Sequence, residues 1–122
     1  MDAPLDQHVA PLVEALNAVG LRTTASCHGH GVPIRLPPFV AFAASEADAS
    51  RLSRAVRDDA VSDRPTLRRG WRVDAGFDER HRLIFRLTTE NPHRRIYRWS
   101  RRSLDRDFLT LVGLVERAMQ QV

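Results

Sequence analysis

The run Ser26-Cys27-His28-Gly29-His30-Gly31 concentrates the residues able to do chemistry. It offers a hydroxyl, a thiol and two imidazoles, with glycines that permit positive φ and close approach of the backbone to a ligand. Three chemistries compete for it. In the first, His28 or His30 lowers the pKa of the Cys27 thiol and makes it a nucleophile, so Cys27 and His30 are the catalytic candidates. In the second, Cys27 and His30, three apart, converge on a metal ion. Further ligands would have to come from His81 or His93, and no second cysteine or HxxxH pair supports them, so no metal set is assigned. In the third, the run binds an anionic or nucleotide-like ligand. Exposed amides at Gly29 and Gly31 then form a nest, with Thr24, Ser26 and His28 as further contacts. The same residues also suit a tight turn with a packed thiol and solvated histidines.

Charge distribution favours the third chemistry. The chain has 122 residues and a formal net charge of +4, and all 19 of its Lys+Arg residues are arginine. The missing lysine fits a high-GC coding sequence, so placement carries more weight than residue type. Arg64, Arg68, Arg69 and Arg72 fall in a stretch free of acids, and so do Arg94, Arg95, Arg98, Arg101 and Arg102. The rest of the chain is net acidic. Two concentrated basic segments in a nearly balanced protein point to an anionic partner. The second interleaves aromatics, His93-Arg94-Arg95-Ile96-Tyr97-Arg98-Trp99. Arginines neutralise phosphates and aromatic faces stack on unpaired bases. Arg68, Arg69, Arg72, Arg94, Arg95, Tyr97 and Arg98 are therefore the nucleic-acid candidates, while Trp71, at the start of a strand, reads as core.

The elements that must position these groups follow from periodicity. Leu5, Val9, Leu12, Val13, Leu16 and Val19 recur at helical spacing, with Pro11 either starting or kinking that helix and Gly20 ending it. Leu21 to Ser26 is a short strand leading into the chemical run. Pro33, Pro37 and Pro38 keep the next stretch irregular. Phe39 to Ala44 reads as a strand buried on both faces. Ser45 caps a helix running to about Asp59 that buries Ala49, Leu52, Ala55 and Val56. After the basic loop 62–70, Trp71, Val73, Ala75 and Phe77 alternate on one face of a half-buried strand. Asp78 to His81 turns it into an antiparallel partner, Arg82 to Thr89. Ser103 caps a last helix with the stripe Leu104, Phe108, Leu111, Val115 and Met119.

The expected architecture is a single α+β domain over 1–122, a two-layer sandwich of order α-β-β-α-β-β-α. Its sheet is four-stranded and mainly antiparallel, with helices on one face. At 43% apolar residues a core forms without a metal or disulfide. No apolar run is long enough to span a membrane. The start Met1-Asp2-Ala3-Pro4-Leu5-Asp6 lacks a basic patch followed by an apolar stretch, and Cys27 is the only cysteine, so the expected location is the cytoplasm.

Three groups of residues carry a resemblance. They are Leu12-Val13 with Leu16-Asn17 on the first helix, the run from Thr23 to His30, and Pro38-Phe39-Val40. In this order they resemble the core of the wybutosine-synthesis tRNA methyltransferase family, over about residues 5–90. Small bacterial and phage proteins of unknown function carry a similar Ser-Cys-x-Gly-His run, and the chain looks closest to those. The resemblance implies that Ser26, Cys27, Gly29 and His30 belong to a site handling S-adenosylmethionine and tRNA. His30 stands where that family has arginine, and the link between the first two strands is shorter. The expected function is a nucleic-acid-associated protein, RNA before DNA, with methyl transfer as the activity the resemblance implies. The alternative is a non-enzymatic interaction module, such as a phage or defence accessory, whose arginines face an acidic protein partner.

Overall fold

The computed structural model describes residues 8–27, 38–89 and 101–120. These form α1 (Ala10–Ala18), β1 (Arg22–Cys27), β2 (Phe39–Ala43), α2 (Glu46–Val61), β3 (Trp71–Phe77), β4 (Leu83–Thr89) and α3 (Arg101–Gln120). The order is the expected α-β-β-α-β-β-α, and the fold is α+β. The four strands make one sheet in the order β1-β2-β4-β3, antiparallel throughout.

Local chemistry explains the boundaries. Pro11 sits in the first turn of α1, where a missing amide donor costs nothing. The helix ends in a Schellman motif: Leu21 N–H donates to Leu16 O at 2.9 Å and Gly20 N–H to Asn17 O at 3.1 Å. Gly20 supplies the φ of +88° that this motif needs. Asn17 Oδ1 then accepts from the N–H of Thr23 at 2.9 Å and from its hydroxyl at 3.2 Å, tying α1 to β1. Ser45 caps α2 by accepting from Asp48 N–H at 3.1 Å. Ser103 caps nothing: α3 already includes Arg101 and Arg102, so position 103 lies inside the helix.

The helices cover one face of the sheet. Val40 and Phe42 of β2, Phe85 and Leu87 of β4 and Trp71 of β3 meet Leu12 and Leu16, Leu52 and Val56, and Leu104, Phe108, Leu111 and Val115. Phe42 stacks on Phe85 with centroids 5.9 Å apart, and Trp71 tilts against Phe108 at the same separation. Each such side chain contributes about 1.5–3 kcal/mol when fully buried. Ala55, expected in this core, is only partly buried. On β2, Ala41 is buried on the face away from the helices, as the continuous apolar run suggested.

The expected half-burial of β3 needs correction. Trp71 is buried and Val73 partly so, but Ala75 is exposed and Phe77 is 72% exposed. Leu83, its partner across the hairpin, is 53% exposed. Alternation selects the face correctly, but the β3–β4 hairpin runs on past the helix layer.

Candidate nucleic-acid interface

The candidate run begins at the end of β1. There the ladder slips between Thr23 and Ala25, so that Thr24 is a bulged residue and exposed. Beyond the bulge Ser26 pairs with Val40 and Cys27 with Phe39. Val40 faces the helices, so half-buried Ser26 is on the helix-bearing side of the sheet. His28, Gly29, His30 and Gly31 lie outside the described residues, as do His93, Arg94, Arg95, Tyr97 and Arg98.

Register relates the ends of these segments. Cys27 pairs with Phe39, Phe39 with Thr88, and Thr88 with Arg72, so the four share one row across the sheet. Thr89, the last residue of β4, pairs with Trp71, the first of β3. Segments 28–37, 62–70 and 90–100 are thus all attached at the same end of the sheet. With strands about 4.8 Å apart, Cys27 and Arg72 are separated by roughly 14 Å of backbone.

The first basic segment is held by two carboxylates from different helices. Asp59 near the end of α2 accepts from the hydroxyl and N–H of Thr66 and from Leu67 N–H at 3.1 Å. Asp107 of α3 accepts from Arg68 N–H at 2.8 Å, Arg69 N–H at 3.0 Å and the Trp71 indole at 2.9 Å. Leu67 is buried between these clamps, Arg69 is half-buried and Arg68 is exposed. The backbone under these arginines is fixed, and Trp71 is core as read. Burial pushes the Asp59 carboxyl up, but the Thr66 hydroxyl, the N–H groups of Thr66 and Leu67 and the charge of Arg117 outweigh it. Its pKa lies below the ordinary aspartate value.

Arg72 belongs to the helix-free face. Its Nε donates to both oxygens of Asp74, at 3.0 and 3.1 Å. Across the strand from Asp74 stands Arg86, whose guanidinium lies 5.2 Å from the centroid of the Phe39 ring. Sequence reasoning passed over Phe39, Arg86 and Asp107. The first two are joined only by strand register, which a single sequence does not reveal. Asp107 did leave a signal: it lies three residues after Leu104 and four before Leu111, on the apolar stripe of α3, where an acid requires partners.

His81, one of the metal-ligand candidates, sits in the β3–β4 turn. Asp78 shapes that turn by accepting from Arg80 N–H at 2.9 Å and Arg82 N–H at 3.0 Å. These bonds, with the nearby charges of Arg82 and Arg80, hold the Asp78 carboxyl below its ordinary value against the upward effect of burial. The turn and Cys27 mark opposite ends of the sheet. Six residue steps of β4 put them about 20 Å apart, so His81 cannot join Cys27 around one ion. Among the described residues no group of three His, Cys, Asp or Glu side chains converges as a metal site. None of their helices is long and apolar enough to cross a membrane.

No family model matches the chain, and no curated protein or solved structure matches it significantly. The residues that carry the resemblance divide into two groups on this fold. Leu12, Val13 and Leu16 are buried core, and Asn17 holds Thr23. The run from Ser26 onward has no such packing role among the described contacts.

Proposed function

We propose that this chain is a nucleic-acid-associated protein that takes RNA in preference to DNA. It holds a nucleotide-like or phosphate-bearing ligand at the segment starting with Ser26 and Cys27. One observation carries the reading: the glycine-histidine segment and both arginine-dense segments are attached at one end of the sheet, through Cys27, Phe39, Thr89 and Trp71. In this reading Ser26 and the amides of Gly29 and Gly31 supply hydrogen bonds, and His30 is a titratable donor. Arg94, Arg95 and Arg98, with Arg68, Arg69 and Arg72, neutralise phosphates, and Tyr97 stacks on a base.

The test is a salt titration of binding to single-stranded RNA. Affinity should fall steeply with added salt, and Arg94→Ala with Arg95→Ala should shallow the slope by roughly two, one for each lost phosphate contact. Absence of binding at low salt removes the reading. Methyl transfer rests on the resemblance alone. It is tested by methyl incorporation from S-adenosylmethionine into transfer RNA, with Cys27→Ser and His30→Ala as the variants.

The exposed cross-strand pair Phe77 and Leu83 favours a second reading, an interaction module that docks an acidic protein partner. In that case RNA does not bind, and a partner's affinity falls when Phe77 is made polar.

A further inference from the structure

The helix-free face of the sheet holds a small groove. Its floor is Gly76 and Ile84, which pair across β3 and β4, and its walls include Asp74 and Arg86. The cavity volume is about 220 Å³. That is below the roughly 300–1,000 Å³ of sites enclosing a whole drug-sized ligand, so it suits one planar ring system.

Arg86 stands between this groove and Phe39. One side of its guanidinium is over the Phe39 ring, and its stem borders the groove. It makes no ion pair among the described residues. Asp74, the acid across from it, is engaged by Arg72. A planar cation already layered on an aromatic ring presents a second flat face. Arginine planes and aromatic rings are the surfaces on which proteins stack splayed-out bases. The stack is continuous with the proposed site, because Phe39 is directly across from Cys27.

We propose that this groove receives one base of a single-stranded RNA, stacked beside Arg86 as the strand leaves the Ser26–Cys27 end of the sheet. The proposal rests on the RNA-binding reading and adds the path of the strand. Charge supports this occupant: the exposed face carries Arg22, Arg72 and Arg86 against a single acid, Asp74.

Gly76 offers a clean blocking variant. A Cβ there meets nothing within 4 Å, so Gly76→Val fills the groove without disturbing the sheet, and valine suits a strand. The experiment measures anisotropy of a short labelled uridine-rich RNA on the full chain, its Gly76→Val, Arg86→Ala and Arg86→Lys variants, and the Arg94→Ala/Arg95→Ala double variant. Thermal melts confirm that each is folded. Gly76→Val and Arg86→Ala should each weaken binding roughly tenfold. Arg86→Lys should keep the salt slope yet lose most of that affinity, because charge survives and the stacking plane does not. Unchanged affinity in Gly76→Val and Arg86→Ala, with loss only in the double variant, overturns the groove and leaves the RNA-binding reading intact. No binding by the parent chain overturns both.

Discussion

The carboxylate of Asp107 accepts the indole N–H of Trp71 at 2.9 Å from a position with no solvent exposure. With the N–H groups of Arg68 and Arg69 on the same carboxylate, one side chain of α3 fixes the start of β3 and the basic loop before it. A buried carboxylate of this kind is tolerated because its oxygens are used by donors.

Asp107→Asn exchanges one acceptor oxygen for a donor and leaves at least one buried N–H without a partner. A loss of about 2–3 kcal/mol is expected, and a larger one for Asp107→Leu. Trp71→Phe removes a single donor and should cost about 1–2 kcal/mol. Urea unfolding midpoints measure all three; an asparagine variant as stable as the parent would show that the carboxylate is not what ties the loop down.

Asp59 gives the fold a defined acid response. Its folded pKa is lowered, so ionisation is favoured in the native state. That contribution is complete above the unfolded aspartate value of about 3.9. It is lost as pH falls through the lower folded value. Asp59→Asn should therefore flatten the acid limb of stability against pH while changing little of its shape near neutrality. Melting temperatures across an acid pH series, with an NMR titration of the Asp59 carboxyl, check this.

His81 holds a φ of +61°, in the left-handed region where a side chain is strained. His81→Gly should raise stability by about 0.5–1 kcal/mol, and His81→Val should lower it by about 1–2 kcal/mol. Thermal unfolding of the two variants reads opposite signs if the turn conformation is as described.

Polar replacement of the hairpin tip should be nearly silent. Phe77→Ser with Leu83→Ser is expected to change stability by no more than about 0.5 kcal/mol. Phe42→Ala, which empties the stack on Phe85, should cost about 3–5 kcal/mol. Chemical denaturation of both variants tests where the helix layer stops.

The contrast between Phe77 and Phe42 marks how far the sequence could be read. Helical stripes and strand alternation identify the order of elements and the inward face, because both periods are fixed by backbone geometry. They carry no information on how far a helix overlaps a strand, so the bare end of the hairpin was not legible. Ser103 failed as a cap because the arginines before it, read as part of a basic segment, are already helical. The candidate site was legible as a cluster of residue types around Ser26 and Cys27. Its relation to Arg72 through Phe39 and Thr88 was not, since strand order β1-β2-β4-β3 is set by long-range pairing.

The extra residue at Thr24 sets how much length variation β1 can absorb. Thr23 and Ser26 are each in register with β2, with one more residue between them than the ladder uses. Shortening the chain by one position there removes the irregularity and leaves every later pair of β1 in place. Lengthening it by one forces a second irregularity or turns the remaining side chains over. The span from the Asn17 clamp to the first glycine therefore has one residue of slack, and only toward contraction.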